Sequence, residues 1–385
     1  MMNMKHNIFR TILVIALLLT TSPAIANQPG WATHLQARGI QVSAGVWDLS
    51  TGKLIEGFQP ELALIPASTT KVVSSYAILR TLKPDYQLET TVRGNLQRDV
   101  VVGDLVIRGG GDPFFTNEHI WMLAQALKSR GVSRVTGSLK LDQSAFDSQR
   151  YGVGWENTSS NTTPPILPLS VNFNRESNGL ITRNPEKLAQ DTITSIFQDS
   201  GISFVGQPDT NSASKRVIAA YKSPTLQSLI ASVNKISNNF ITEMLVKHFG
   251  GGSWARGVAR IQDFYKTILE LSPSEIQITD GSGLSKSNRL SAMTLSTILR
   301  AGWHDFEVGP EFVSSLKYIG GEPFVNIKDP NLTRRVRCKT GHLNDVDSMC
   351  GFIWMPDGNV RVFAIILNGP CTREDVEYVL KLWAN

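Results

Sequence analysis

Cysteine and histidine are scarce in this chain, whose 385 residues include three cysteines and six histidines. The histidines are scattered, and no pair of cysteines or histidines has the spacing of a zinc site, so we expect neither a metal nor another cofactor. The three cysteines cannot all pair within one chain. Cys338 and Cys350 flank an expected hairpin, and a disulfide between them stays open because spacing does not show whether their Cβ atoms meet. The pairing of Cys371 is equally open.

A hydrophobic run long enough to cross a membrane is also missing from the N-terminal region. Eight apolar residues follow one another at 12–19, whereas a spanning helix needs roughly 20. Lys5 and Arg10 precede this run and small residues follow it at 24–26, which is the layout of a secretory signal peptide. We therefore predict a cleaved signal peptide at 1–26 and no permanent membrane anchor, with a retained anchor as the alternative.

Neither sign of charge dominates the sequence. The 38 lysines and arginines exceed the 33 acidic residues by five, and loss of Lys5 and Arg10 with the leader reduces the surplus to 36 − 33, or +3. That excess is too small to indicate a nucleic-acid partner. With 41% hydrophobic residues the chain is long enough to bury the core of one large domain or two.

Strand patterns occur at both ends of the mature chain. Residues 40–47 and 53–58 predict a hairpin, and three further strands are expected at 335–341, 348–354 and 360–367. Helical spacing of apolar residues predominates in the segments between these ends. We therefore expect an α+β fold in which the first hairpin joins the last three strands in one antiparallel sheet flanked by helices.

The composition changes between residues 87 and 220, where threonine-rich and valine-rich strand segments alternate with many glycines. We expect residues 87–220 to form a β-rich domain inserted into a main domain made of 27–86 and 221–385. The triple glycine at 109–111 lacks the G-x-G-x-x-G pattern of a phosphate loop, and an Asp-Pro pair follows it. We interpret it as a simple turn.

Ser68 and Lys71 have S-x-x-K spacing, which alone carries little weight because the pattern also occurs at 50–53, 212–215, 232–235 and 314–317. Only Ser68 opens an apolar helical segment. Positions i and i+3 share a helix face, so the amine of Lys71 reaches the Ser68 hydroxyl. Such an amine can activate serine, a poor nucleophile by itself, if burial and a cationic neighbour such as Lys339 lower its pKa from about 10.4. The alternative role for Ser68 is a helix N-cap.

Two further strings follow in the chain. Ser237 and Asn239 form S-x-N within an apolar helical segment at 226–248, so we expect a helix or a helix junction to carry this motif. The same pattern five residues earlier, at 232–234, is a rival. Residues 339–341 read Lys-Thr-Gly on a β-rich segment. There the glycine permits close approach of a substrate backbone, and the lysine and threonine can bind a carboxylate.

In this order the three strings resemble the class C low-molecular-mass penicillin-binding proteins, the D-alanyl-D-alanine carboxypeptidase/endopeptidase family. The resemblance covers most of the mature chain and extends to residues 66–69, 110–113, 169–172, 280–285 and 351–353. It implies a serine β-lactamase/transpeptidase-like core and an enzyme that acts on peptidoglycan stem peptides in the periplasm. It also implies covalent inhibition by β-lactam antibiotics.

The same resemblance assigns roles to the catalytic residues. Ser68 would attack the penultimate D-alanine carbonyl while Lys71 takes its proton, and Ser237 would relay a proton to the departing amine. The backbone amides of Ser68 and His342 would form the oxyanion hole. Water would then release the acyl group.

For substrate binding, the resemblance implies that Asn239 holds the substrate amide and that Lys339 and Thr340 bind the terminal carboxylate beside Gly341. A serine β-lactamase is one alternative, but it must activate a deacylating water, as class A enzymes do with a glutamate after the second motif. The nearest acid there, Glu243, is expected to be a surface or packing residue. A non-catalytic cell-wall binding protein is the other alternative, although a binder would not need the nucleophile.

Overall fold

The computed structural model describes residues 28–155, 163–207, 216–321, 327 and 329–385, so the predicted signal peptide lies outside the described residues. The α-helices are α1 (Gly30–Ala37), α2 (Thr70–Leu82), α3 (Asn117–Lys128), α4 (Pro185–Asp199), α5 (Leu226–Lys235), α6 (Asn239–Phe249), α7 (Trp254–Leu269), α8 (Ala292–His304), α9 (Gly309–Ser315) and α10 (Arg373–Trp383). The strands are β1 (Gln41–Asp48), β2 (Leu54–Phe58), β3 (Glu89–Gln97), β4 (Val100–Arg108), β5 (Arg134–Val135), β6 (Leu139–Asp142), β7 (Ser203–Phe204), β8 (Val217–Lys222), β9 (Lys317–Tyr318), β10 (Val336–Leu343), β11 (Val346–Trp354) and β12 (Val360–Asn368).

One sheet unites the two ends of the chain. Its strand order is β2-β1-β12-β11-β10-β9, and every pairing in it is antiparallel. The predicted hairpin therefore joins the three C-terminal strands, as expected from the sequence. The short strand β9 was not predicted, and it covers the outer edge of β10 only as far as Cys338.

Apolar layers cover both faces of this sheet. The larger one contains α2 and α5 to α8, and the smaller one lies against α1 and α10. Lys339 pairs with Cys350 across β10 and β11, whereas Cys338 pairs with Gly351. Directly opposed residues share a face and neighbours along a strand alternate, so Cys338 and Cys350 point to opposite faces. They form no disulfide, and Cys371 is also free.

Helix α2 is the central helix of the larger layer. Its residues from Thr70 to Leu79 are all buried, as expected for a helix surrounded by protein. The helix ends where Lys83 adopts a positive φ of 76° and a proline follows, because that proline cannot continue the helix. The first turn of α2 therefore lies deep in the molecule, beside the C-terminal strands.

A second sheet lies within the segment between α2 and α5. Its order is β7-β5-β4-β3-β8, with β6 paired to β4, and α3 and α4 pack on one side of it. The chain enters and leaves side by side, since Ser223 N donates to the Leu88 carbonyl at 2.8 Å. Trp155 of the same segment packs into the larger apolar layer.

The triple glycine follows β4 and is explained by close packing. A Cβ on Gly109 would lie 2.4 Å from the Leu169 nitrogen, and one on Gly110 would lie 2.1 Å from the Glu89 carbonyl oxygen.

Among the described residues, none of the helices combines the length and the apolar character that a membrane-spanning helix requires.

Candidate active site

Ser68 lies in a 3₁₀ turn, Ala67–Thr69, immediately before α2. The sequence predicted the start of a helix there, and the difference is one tight turn in which Ala67 has a positive φ of 48°. A non-glycine residue in that region is strained, and such strain is frequent at functional sites. The Ser68 hydroxyl accepts a hydrogen bond from Lys71 Nζ at 2.9 Å, so the predicted pair is brought together.

Lys71 is fully buried, and its amine has three polar neighbours. Nζ lies 2.9 Å from Ser68 Oγ, 2.6 Å from Asn239 Oδ1 and 2.7 Å from the Ser282 carbonyl oxygen. Burial lowers the pKa of Lys71 to about 7, while the carboxylates of Glu243 and Asp280 act in the opposite direction. At neutral pH the Lys71 amine is therefore partly uncharged.

The sequence predicted that burial and a cationic neighbour, Lys339, would together lower the pKa of Lys71. Burial is the cause of the low pKa, whereas a contribution from the charge of Lys339 is not seen at Lys71. The charge of Lys71 does contribute to the low pKa of Lys339. Removing an ammonium group from water destabilises its charged form even where no second cation acts on it.

Ser237 lies in the junction between α5 and α6, with a positive φ of 57°. Its hydroxyl accepts a hydrogen bond from Lys339 Nζ at 2.8 Å. Asn238 caps α6 by accepting from Ile241 N at 3.0 Å, and this cap begins the helix that carries Asn239. The positive φ of Ser237 and the Asn238 cap therefore accompany a backbone bend at which Ser237 contacts Lys339 of the Lys-Thr-Gly motif.

The rival S-x-N string is not part of this cleft. Ser232 lies within α5, where its hydroxyl donates to the carbonyl of Ser228 at 3.2 Å. Asn234 is fully buried and its amide nitrogen donates to Ser315 Oγ at 2.8 Å. Both residues are therefore used in helix packing.

Lys339 on β10 is fully buried beside the second motif. Besides Ser237, its Nζ donates to the carbonyl of Thr340 at 2.5 Å. Burial holds the pKa of Lys339 well below its ordinary value, and the nearby charges of Lys71 and Lys317 add to the effect. Thr340, the next residue on the strand, is half-buried, and its hydroxyl makes no hydrogen bond to the described site residues.

The outer edge of β10 presents backbone groups to the cleft. Ile319 N donates to the Val336 carbonyl, so the backbone of Val336 points away from β11. Backbone groups of an antiparallel strand alternate in direction, and Thr340 and His342 therefore point outward as well. Because pairing with β9 stops at Cys338, this part of the edge is unpaired within the described residues.

Gly341 marks the contact between β10 and the serine turn. A Cβ built on it would lie 2.8 Å from Ser68 N, 2.9 Å from the Pro66 carbonyl oxygen and 2.3 Å from Ser348 Oγ. No other residue type fits that space without a shift of backbone. The sequence predicted close approach of a substrate at this glycine, whereas the structure shows close approach of the enzyme's own nucleophile turn.

The side chain of His342 is 69% exposed, and its Nδ1 lies 3.2 Å from Asp347 Oδ2. Asp347 also forms an ion pair of 2.9 Å with Arg373. The His342 side chain is therefore in contact with Asp347, while its backbone lies at the outer edge of β10.

Glu243 was expected to be a surface or packing residue, and the surface interpretation is wrong because its side chain is fully buried. Its carboxylate accepts from Ser282 N at 2.6 Å, Gly281 N at 3.1 Å and Trp254 Nε1 at 2.9 Å. Burial raises the pKa of Glu243, and the neighbouring Asp280 carboxylate raises it further. A sequence signal was present, since Glu243 follows Asn239 by four residues and shares its helix face.

Asp280 stabilises the same turn from its other side. Its carboxylate accepts from Gly283 N at 2.9 Å, Ser285 N at 2.7 Å and Trp155 Nε1 at 2.9 Å. The turn is recognisable in the sequence, but its contact with Lys71 through the Ser282 carbonyl is not. Two buried carboxylates thus fix an acceptor for the Lys71 amine.

Taken together, a serine hydroxyl, a buried amine with a pKa near 7 and an unpaired strand edge are the groups that a lysine-assisted serine acyl-transfer enzyme needs. The model of the D-Ala-D-Ala carboxypeptidase 3 (S13) family matches residues 32–179 and 169–381. The chain belongs to this family, which confirms the resemblance inferred from its motifs. It is a serine DD-peptidase.

Individual relatives agree with this family. The Carboxypeptidase DacB of Mycolicibacterium smegmatis is 24% identical over 372 residues, which cover 87% of this chain and 78% of the relative. The crystal structure of penicillin-binding protein 4 (DacB) from Haemophilus influenzae has a TM-score of 0.77 at 19% identity and covers 89% of this chain and 94% of that one. A second structure of it, complexed with a β-lactam, has a TM-score of 0.71 at 18% identity over the same shares of both chains.

A predatory peptidoglycan endopeptidase from Bdellovibrio bacteriovorus is also similar, with a TM-score of 0.61 at 14% identity, covering 90% of this chain and 91% of that one. At these identities the structural matches establish the fold. They confirm the expected α+β architecture with a core of the transpeptidase type.

Proposed function

We propose that this protein removes the terminal D-alanine of peptidoglycan stem peptides through an acyl-enzyme on Ser68, and that it also acts on cross-links. The observation that carries the proposal is the 2.9 Å hydrogen bond between Lys71 Nζ and Ser68 Oγ, beside a second lysine-serine pair. Acyl transfer needs a nucleophile, a base and a proton relay within reach of one carbonyl, and these four side chains can supply them.

In the acylation step, the neutral amine of Lys71 takes the proton of Ser68 as Oγ bonds to the penultimate D-alanine carbonyl carbon. Negative charge develops on the carbonyl oxygen, and the backbone amides of Ser68 and His342 stabilise it. Ser237 passes a proton to the nitrogen of the leaving D-alanine, and Lys339 replaces that proton. The C–N bond breaks and the acyl-enzyme remains until water hydrolyses it.

Lys339 and Thr340 bind the terminal carboxylate, and Asn239 orients the substrate amide. Lys339 is buried with a low pKa, and a carboxylate beside it favours the charged ammonium. The unpaired edge of β10 adds backbone hydrogen bonds to an extended peptide, as an added strand would. Gly341 keeps that edge close to the nucleophile turn.

A β-lactam presents a strained amide and a carboxylate to the same groups, so we propose covalent inhibition at Ser68. A β-lactam complex of the Haemophilus relative supports this proposal. The leader pattern of residues 1–26 supports export to the periplasm, where the stem peptides are located. We further propose residues 27–86 and 221–385 as the catalytic domain and 87–220 as the inserted domain, in line with the two separate sheets.

The central experiment is incubation with a fluorescent penicillin followed by peptide mapping. We expect one adduct per molecule, located on Ser68. Lys71→Ala should abolish the adduct with little loss of folded protein, and Lys53→Ala, an exposed lysine of another S-x-x-K string, is the matched control. Unchanged acylation of the Lys71 variant would eliminate the assigned base, and no adduct in folded wild-type protein would favour a non-catalytic binder.

A second experiment separates the two peptidase activities. Purified muropeptides, both monomeric and cross-linked, are digested and the products are separated by chromatography. Release of D-alanine from monomers indicates carboxypeptidase activity, and conversion of dimers to monomers indicates endopeptidase activity. A protein that is acylated by penicillin yet leaves both substrates intact would contradict the proposed substrate.

A further inference from the structure

A cavity of about 700 Å³ lies between the second sheet and the helical part of the molecule. Its walls include Tyr86, just after α2, and His248, in the last turn of α6. Ser68 and Asn239 lie at the opposite ends of these two helices. Because α2 has 13 residues and an α-helix rises about 1.5 Å per residue, the cavity is on the order of 20 Å from the nucleophile. It is therefore distinct from the catalytic cleft.

Cationic side chains line the sheet side of this cavity: Arg93 on β3, Arg108 on β4 and Lys222 on β8. In the strand register, Thr91 is opposite Arg108 and Glu89 is opposite Lys222. Opposed residues share a face, and so do alternate residues of one strand. The cavity lining on this face thus has three cations and one acid, Glu89, and a second acid, Asp142, lies in register with Arg108 on the same face.

These cations are only partly neutralised by the protein. Arg108 Nε lies 3.8 Å from Asp142 Oδ2, which is a loose pair, and Arg93 and Lys222 form no ion pair within the described ranges. Arg93 and Thr91 both line the cavity, and their Nε and Oγ1 atoms are buried without a hydrogen-bond partner in the described part of the chain. Polar atoms of this kind are costly to leave unsatisfied, so they favour a polar ligand here.

The opposite wall carries no charge that would compete with the cations for a ligand. Phe146 and Gly252 contribute apolar and backbone surface. The Tyr86 hydroxyl lies 2.8 Å from His248 Nε2, so these two polar groups satisfy each other. Burial lowers the pKa of His248 to about 4, and the imidazole is neutral at physiological pH.

We propose that this cavity is a second binding site for a peptidoglycan stem peptide, separate from the one being cleaved. Carboxylates of the peptide bind Arg93 and Arg108, where the planar guanidinium favours paired hydrogen bonds. An amino group of the peptide faces Glu89. A stem peptide has more carboxylates than amines, which matches a cavity lining with more cations than acids. The inference rests on the proposed function, because it places a second segment of the same polymer here.

The test measures binding of the tripeptide L-Ala-γ-D-Glu-meso-diaminopimelate by calorimetry to protein whose Ser68 is already blocked by penicillin. This tripeptide lacks D-alanine, and the blocked serine keeps it out of the catalytic cleft. We expect saturable binding that weakens about tenfold or more in the double variant Arg93→Gln/Arg108→Gln, the scale of lost charge-assisted hydrogen bonds. The matched control is Arg130→Gln/Arg134→Gln, two exposed arginines outside the cavity, which should bind normally.

Penicillin acylation and the melting temperature verify that each variant is folded. If the double variant is unfolded, Lys222→Gln takes its place and should weaken binding in the same direction. Equal binding by the cavity variant and the wild type, or no binding to the blocked wild type, would overturn the proposal and leave the catalytic assignment untouched. Inorganic phosphate is tested as a competitor. If phosphate binds the cavity as tightly as the tripeptide does, the cavity is a general anion site and the proposal is overturned. Failure of acylation would instead count against the proposed function.

Discussion

At the scale of single residues, the proposed chemistry of this enzyme depends on one buried amine. Desolvation lowers the pKa of Lys71 to about 7, and the two buried carboxylates Glu243 and Asp280 limit the decrease. Without these carboxylates, burial would favour the neutral amine still more strongly. The balance leaves an amine that can both accept a proton from Ser68 and return it at neutral pH.

This balance predicts the pH dependence of acylation. In the proposed mechanism the neutral amine of Lys71 is the base, so the acylation rate should rise with pH and reach half its maximum at about pH 7. Between pH 6 and pH 8 the neutral fraction of such an amine increases roughly tenfold. Second-order rate constants for a chromogenic cephalosporin between pH 5 and 9 would measure it. A flat profile, or one that falls with rising pH, would contradict the role of Lys71 as base.

Glu243 shows what a single sequence does not reveal at this scale. Its spacing from Asn239 indicates a shared helix face, but whether that face meets solvent or a distant turn depends on tertiary packing. The partners of its carboxylate are Trp254 and the backbone of Gly281 and Ser282. The periodicity of apolar residues along one helix cannot predict such a contact, because these donors come from other elements.

Substitution of Glu243 should therefore destabilise the protein. Glu243→Ala leaves three donors without an acceptor in a buried site, and each costs about 1–3 kcal/mol, so we expect a loss of at least about 3 kcal/mol. Urea unfolding would measure it. Glu243→Gln keeps one carbonyl acceptor and should lose less, while Glu61→Ala, at an exposed site, should change little. Equal losses for the Ala and Gln variants would argue against these hydrogen bonds.

At the scale of elements, the first hairpin and the last three strands were predictable, whereas the short strand β9 and the junctions were not. Alternation and turn residues indicated β1, β2 and the three C-terminal strands to within a few residues, because those signals are local. The sequence could not decide between a helix and a helix junction at Ser237, and the structure has a break with a positive φ. Asn238 could be identified as the N-cap of α6 only once the structure had shown that a helix begins after this break.

The contact between β10 and the serine turn leads to a prediction for Gly341→Ala. The added methyl would collide with Ser68 N and Ser348 Oγ, so the strand and the nucleophile turn must separate. A displacement of about 1 Å at a reacting centre can cost about 10²-fold in rate, and we expect acylation to fall by that order. Stopped-flow acylation would measure it. Gly30→Ala is the control, since nothing lies within 4 Å of its Cβ, and a near-normal rate for Gly341→Ala would show that the close approach is not required.

At the scale of the whole molecule, the active site is assembled from segments far apart in the chain. Lys71 meets Asn239 across 168 positions, and Ser237 meets Lys339 across 102. The sheet that joins the two chain ends makes this possible, because β10 lies in the same sheet as the first hairpin and contacts the serine turn that precedes α2. The order of the motifs predicted that these residues lie together in one cleft. The distances between them and the shifts of their pKa values could not be predicted, because they depend on the complete fold.

The complete arrangement also predicts slow release of a bound penicillin. In the described residues, no carboxylate hydrogen-bonds to Ser68, Lys71 or Ser237, and Glu243 is committed to the turn behind Lys71. A positioned general base typically contributes about 10²–10⁴-fold, so hydrolysis of a penicilloyl-enzyme without one should lag behind acylation by that order. Intact-protein mass spectrometry after removal of excess penicillin would follow the adduct, with a serine β-lactamase as the comparison. Rapid return to the free mass would contradict this expectation and support a β-lactamase.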